Sequence, residues 1–534
     1  MLLLPTLLLA LPSAPQSTVD PCEVRPIRAL SPTEDSRFGE VLAWNGTHLA
    51  VSAPGHPRGD SVGRVEVYER DGDNWFTSAT LDPDPLTHPD SIPIFGLGLT
   101  WYGDELLVGA PDINSIPTDD GRVYRFQDDG AGNWVQIGQL LAPDANGIGG
   151  FGGSLFVHDD QLFVIDRVHS QVNAFEGAVY VFDRAGDDWS FLQKLRPSDG
   201  VGFELFGSGL AAEGDRLVVG AILAEQAYAF DQQSDGTWTE AQILTGPTAT
   251  LQSFFGASAV IGDGTLFVGA YRTSLTNTWE GVVEVFEHDG TQWQATQTLI
   301  DSDPVDRGSL GFHVSYDEGR LVAGTTSGPS DLDLGQVLIF EDVAGSWTET
   351  ARLSRTITNN MDRFGYHSVI DGDLLLVGAP GYAPFTDSPG FVQSYSLSGL
   401  ACADLVPDTE VLPASTGGVQ TLTLDAGPEN AGDLFVLVGS LSGVYRGARV
   451  GSLRVPLDVD GYTLAILRGA EVPLSTVMGV LDAQGQATVT VTLGPNDAEL
   501  GPLVVRHAYL RIDQGTGAFE HASVPSLLLF DNSQ

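Results

Sequence analysis

Few side chains in this sequence have the types and spacing of a reaction centre. Gly59-Asp60-Ser61-Val62-Gly63 matches the Gly-x-Ser-x-Gly pattern of serine hydrolases. That chemistry needs a strand before the serine and a helix after it. Here the stretch sits in a loop that leads into a strand, so it reads as coincidence. The same loop spells Arg58-Gly59-Asp60-Ser61, a tetrapeptide that integrins recognise, in a chain rich enough in Gly and Asp to produce it by chance. The ten histidines are scattered, without the close spacing of zinc sites. Asp119-Asp120 and Asp331-Leu332-Asp333 could hold a cation but read first as solvated turns. No catalytic or metal-ligating set is assigned, and an enzyme is the less favoured reading.

The chain is organised instead by a repeat that any functional side chain must ride on. Phe-Gly recurs at Phe38, Phe95, Phe151, Phe206, Phe255 and Phe364, with Leu310-Gly311 in the one gap, at intervals of 57, 56, 55, 49, 55 and 54 residues. Fourteen residues after these positions stand Gly109, Gly220, Gly269, Gly324 and Gly378, replaced by Ser52 and Ile165 in two units. A fixed offset inside a wandering period means a rigid hairpin between variable loops. Each hairpin is followed by an alternating run ending in an aromatic, such as Val123–Phe126 or Val337–Phe340, and in six units a Trp and then a Leu follow. Alternation of β-branched and aromatic residues signals strands, so each unit reads as four antiparallel strands. Such sheets must stack on neighbours to bury both faces, and radial closure leaves only short edges. The Trp and Phe positions are therefore read as core between blades.

The intact landmarks, Phe95-Gly96 with Gly109-Ala110-Pro111 and Phe364-Gly365 with Gly378-Ala379-Pro380, resemble the FG-GAP repeat found in the integrin α-chain propeller and in secreted bacterial proteins. The resemblance covers about residues 25–400 and implies a seven-bladed β-propeller. Calcium-binding units of that family insert an Asp-rich loop between the two landmarks. Every hairpin here is too short for the six to eight oxygens calcium takes. No cofactor is expected, and the repeat loops do not support calcium.

Strand order sorts the loops. Short acidic turns such as Asp159-Asp160 and Asp371-Gly372-Asp373 share one face, and the long loops, 54–63, 111–121, 167–177, 271–281 and 380–390, share the other. Ligands of such scaffolds usually sit among long loops. His56, Asp112, Arg272, Trp279, Tyr382 and Phe385 are the candidate ligand-binding residues.

The seventh unit lacks its last strand, whereas Arg25–Asp35 is a strand with no blade before it; the orphan is expected to complete the incomplete blade. Cys22 and Cys402 then arrive at one seam, where an oxidising compartment would pair them. Residues 2–11 form an apolar run of signal-peptide length, too short to span a bilayer, with cleavage expected near residue 14. A secreted or cell-surface location follows. The formal charge of −45, from 70 acidic and 25 basic residues, argues against nucleic acid and anionic membranes as partners; no membrane insertion is expected.

The expected architecture is all-β: a seven-bladed propeller over 22–402, a linker over 403–418 and a β-sandwich-like domain over 419–534. Strands are predicted there at Val419–Leu424, Leu434–Val438, Tyr462–Leu467, Ala487–Leu493, Leu503–Ile512 and Ser526–Phe530. Parts of this domain resemble a C-terminal module of secreted planctomycete-type proteins, a likeness that implies no activity. The expected function is a non-enzymatic binding or adhesion protein that presents loops to an extracellular glycan or protein. The alternatives are a structural envelope or matrix component, and a propeller-based hydrolase or lyase with an unrecognised site.

Overall fold

A computed structural model describes residues 22–531 except 31–35, 56–62, 73, 84–93, 113–120, 145–149, 171–173, 201, 247–251, 327–334, 355–361, 382–389, 398–404, 410, 414–415, 442–447, 451–452, 456, 458, 469–472, 494–502 and 524–525. The chain is all-β. Over the repeat it forms seven four-stranded antiparallel sheets, here blades 1 to 7 in chain order. Blade 2 shows the pattern: Gly98–Tyr102, Glu105–Ala110, Arg122–Asp128 and Trp134–Leu141. Blade 7 takes three strands from 367–396 and its fourth, Cys22–Ile27, from the start of the chain. Cys22 pairs through its backbone with Ser396. Cys402 lies outside the described residues, and the pairing of the two cysteines with it. Innermost strands touch their neighbours all round the ring, blade 7 against blade 1 included.

The two landmarks of the repeat meet at each seam. The glycine of every Phe-Gly pair has φ between 86° and 99°, a region that L side chains rarely adopt. At five of the seven seams its carbonyl turns onto the second-strand glycine of the preceding blade; blades 1 and 3 carry Ser52 and Ile165 at that position. A Cβ on Gly109 would stand 1.9 Å from the Gly152 oxygen, and one on Gly378 would stand 2.1 Å from that of Gly39, across the closing seam. The six Phe rings of the motif and Leu310 are fully buried, each contributing roughly 1.5–3 kcal/mol. The core lies between blades; one cluster joins Val65, Val67 and Leu81 of blade 1 to Phe95, Leu106 and Tyr124 of blade 2.

The tryptophans add polar stitches. Trp238 Nε1 donates to Gln161 of blade 3, and Trp189 Nε1 donates to Glu105 of blade 2. Gln193, Gln242 and Gln297 each bond both backbone N–H and C=O of the next blade's Trp. Trp75, Trp134 and Trp347 are only half-buried.

The C-terminal region holds a three-stranded sheet and a six-stranded mixed sheet. Their apolar faces share one core, Leu422, Leu424, Val489 and Val491 from the first with Leu437, Tyr509 and Leu528 from the second. Two expectations change here. The segment read as a linker supplies strands Leu405–Pro407 and Val411–Pro413 to these sheets. Tyr462–Leu467, expected as a strand, lies in the helix Gly461–Leu467. Asp460 accepts the Tyr462 and Thr463 N–H groups and Thr463 Oγ1 accepts the Asp460 N–H, a reciprocal cap that favours helix. No helix among the described residues is long and apolar enough to cross a membrane.

Candidate functional site at the axial mouth

Because the innermost strands converge, the residue after each Phe-Gly stands at the long-loop end of the axis. These are Glu40, Leu97, Gly153, Ser208, Ala257, Phe312 and Tyr366 in blades 1 to 7. Blades 2 to 5 thus bring Leu and small residues, while blades 6, 7 and 1 bring two rings and a carboxylate. Tyr271, just past the second strand of blade 5, extends the wall: its ring lies 5.1 Å from Phe312, which lies 4.9 Å from Tyr366.

Arginines crown this wall. Arg272, Arg307 and Arg363 line, with Tyr271, Trp279, Ser309, Phe312, Thr326 and Tyr366, a cleft of about 250 Å³. The Arg272 guanidinium lies over Phe254 at 4.4 Å and Trp279 at 5.0 Å; Arg307 lies over Trp279 and Arg363 over Tyr366, each at 5.9 Å. Arg167 acts electrostatically on both Tyr271 and Tyr366. Among the described residues no carboxylate lies at ion-pairing distance from Arg167, Arg272 or Arg307. In a chain with 70 acidic and 25 basic residues, that convergence makes a local positive hole.

Glu40 does not itself line the cleft but lies close enough to act electrostatically with two residues that do, Arg363 and Tyr366. It is buried, and Arg37 Nη1 approaches its carboxylate at 3.0 Å. Burial pushes its carboxyl above the usual range even though Arg37 and Arg363 pull the other way. Burial, with the Glu40 charge added, pushes the Tyr366 phenol up to about 12. One residue further along the inner strands, the rings of His313 and His367 lie 4.1 Å apart, and burial holds both imidazoles neutral, His313 down at about 4.

The cleft loop is held in place by its own hydrogen bonds. The buried Glu280 carboxylate accepts the N–H groups of Leu275, Thr276 and Asn277 at 2.7–3.0 Å. Burial alone would raise this carboxyl, but those bonds hold it below the usual range. The Trp279 N–H donates to Ser274 Oγ at 2.9 Å, and the Ser309 N–H of the next blade donates to the Trp279 carbonyl at 3.0 Å. The rim is therefore preorganised.

Of the candidates read from sequence, the structure brings Arg272 and Trp279 together. Asp112 is buried on blade 2 and does not line the cleft. His56, Tyr382 and Phe385 lie outside the described residues, as do Asp119-Asp120 and Asp331–Asp333. Sequence reasoning missed Glu40, Tyr271, Arg307, Phe312, Arg363 and Tyr366. Aligning the units at the position after Phe-Gly would have exposed Glu40, Phe312 and Tyr366. Among the described residues no group of three or more His, Cys, Asp or Glu side chains is arranged to hold a metal ion.

The repeat, the blades and the axial mouth define the class, a β-propeller of four-stranded blades with FG-GAP-like landmarks. Residues 189–236, at the Trp-ended boundary of blades 3 and 4, match the family described as FG-GAP repeat. No curated protein matches the sequence. Among solved structures, the periplasmic gluconolactonase of Pseudomonas aeruginosa is 15% identical with a TM-score of 0.41, over 59% of this chain and 84% of that one. A putative 6-phosphogluconolactonase of Bacteroides uniformis is 12% identical with a TM-score of 0.41, over 60% and 85%. Likeness at this level carries no activity across. Both neighbours are described as enzymes, which runs against the expectation of a non-enzymatic adhesion or binding protein.

Proposed function

We propose that the chain is a hydrolase that acts at the axial mouth on a small anionic ester, open or cyclic. The observation that carries this reading is the convergence of Arg272, Arg307 and Arg363 on one cleft, beside a buried carboxyl of raised pKa, inside a chain of charge −45. Perturbed titratable groups converging with cations in a cleft have the composition of an active site. Arg272, Arg307 and Arg363 bind the anionic group of the substrate and face the oxygen on which charge develops. Glu40, ionised, takes a proton from water as the water oxygen bonds to the ester carbonyl carbon. The carbonyl–oxygen bond then breaks, and the proton held by Glu40 passes to the departing alkoxide, which leaves as an alcohol. Arg37 orients Glu40. Export beyond the cytoplasm, suggested by the apolar run at residues 2–11, belongs to the same reading.

The test is turnover of a panel of carboxylate-bearing esters and lactones by the full chain. Glu40→Gln should lower kcat by about 10²–10⁴ with little change in KM, whereas Arg272→Gln should raise KM. Absence of turnover across the panel, or full activity in Glu40→Gln, overturns the reading.

A further inference from the structure

The loop that carries Trp279 has a counterpart two blades away with its chemistry exchanged. In both loops an aromatic N–H donates to a serine Oγ at 2.9 Å, Trp279 to Ser274 and Phe175 to Ser170. Both aromatics sit at positive φ, and each is followed by a buried glutamate and a glycine. Both loops also receive the next blade identically: the N–H groups of Arg307 and Ser309 donate to Thr278 and Trp279, those of Phe203 and Leu205 to Ala174 and Phe175. Position by position, Arg167 stands where blade 5 has Tyr271, and Phe203 where blade 6 has Arg307. At the seam of blades 5 and 6 the rim is cationic. At the seam of blades 3 and 4 the cation lies at the base and the rim is apolar.

That rim is exposed. Phe175 is 41%, Phe203 61% and Leu223 47% accessible, and the two Phe rings lie 5.5 Å apart. Leu223 joins them because its N–H donates to the Glu204 carbonyl, next to Phe203. By the same equivalence of the two loops, Arg167 stands at the base of this patch as Tyr271 stands at the base of the cleft. The Gly177 N–H donates to the His169 carbonyl, drawing the two ends of the loop together, so Phe175 stays close to Arg167, whose charge reaches Tyr271 and Tyr366.

We propose that the ligand of this mouth is an anionic amphiphile: a carboxylate held by the arginines and an alkyl or aryl group laid across Phe175, Phe203 and Leu223. This rests on the axial cleft being the substrate site. Charge complementarity fixes one end of the occupant, and the apolar rim fixes the other. Water-exposed rings at a preorganised rim gain from covering apolar surface.

The experiment is calorimetric binding of butyrate, hexanoate and octanoate to the full chain, with octyltrimethylammonium as the charge control. Affinity should rise about fourfold per methylene, the equivalent of burying one CH₂, and the cation should not bind. Phe203→Ser, and separately Phe175→Ser, should remove the dependence on chain length, whereas Arg272→Gln should weaken all three carboxylates by a similar factor. Affinity independent of chain length, or a dependence that survives both Phe variants, overturns the inference. Length-dependent binding with no ester turnover sinks the hydrolase and leaves this inference standing; no carboxylate binding at all sinks both.

Discussion

The unit of this fold is one glycine carbonyl aimed at another glycine. A methyl group on Gly109 would meet the Gly152 oxygen at 1.9 Å, and that oxygen belongs to backbone, which cannot rotate away. Gly109→Ala should therefore cost about 1–3 kcal/mol or more through forced separation of blades 2 and 3. Gly138→Ala is the control. Its added Cβ meets only the Arg125 side chain, at 3.3 Å, and should change stability by less than about 0.5 kcal/mol. Urea denaturation of the two variants decides it; equal losses would mean the close approach is not what constrains position 109. At the site the relevant residue is Glu40. A general base works only when ionised, so kcat/KM should fall as pH drops through its raised pKa, at a pH above the ordinary carboxylate range. A flat profile down to pH 4.5 would remove Glu40 from the mechanism.

Between blades 2 and 3 the seam is ionic as well as apolar. Glu105, buried on the second strand of blade 2, accepts from Arg125 Nε at 2.6 Å, Arg184 Nη1 at 2.8 Å and Trp189 Nε1 at 3.2 Å. Burial alone would raise this carboxyl, but the bonds from Arg125, Trp189 and Arg184 outweigh it and hold it below the usual range. A depressed folded-state pKa stabilises the fold above the unfolded value, and that contribution disappears as pH falls through the folded one. Glu105→Ala removes the buried one of Arg125's two carboxylate partners, leaving the exposed Asp188 at 2.7 Å, and should cost about 3–5 kcal/mol at neutral pH. The difference from the parent chain should shrink in acid. A loss below about 1 kcal/mol would show that water and the existing Asp188 contact suffice for Arg125. Strands of the blades were legible because alternation and the Phe-Gly offset repeat seven times. Residues 461–467 were misread because Tyr462, Leu464 and Ile466 also alternate, and a short apolar run has no period to choose by; the cue was Asp460. Of the site, Arg272 and Trp279 were visible as unusual residues on a long loop. Glu40, Phe312 and Tyr366 were hidden because each lies beside a Phe-Gly landmark and was read as part of the repeat. Arg307 and Arg363 precede landmarks from outside the hairpin, and their convergence is a product of ring closure that no local window contains.

Over the whole molecule, charge sets two opposing responses to salt. A net −45 repels itself and weakens the compact state. Between about 0.01 M and 1 M salt the screening length falls from about 30 Å to about 3 Å. The unfolding temperature should rise over that range, while carboxylate binding at the arginine mouth should weaken. Parallel scanning calorimetry and binding isotherms read both, and a binding constant indifferent to salt would mean the arginines are not the anchor. The ring itself is held shut by Cys22–Ile27, a strand of six residues that borrows its partner from the far end of the repeat. If it detaches, Phe391–Ser396 becomes an open sheet edge. The same strand of a second molecule has the sequence to fill that edge, so the six residues that close one ring are also the means by which crowding would link ring to ring in strand-exchanged chains.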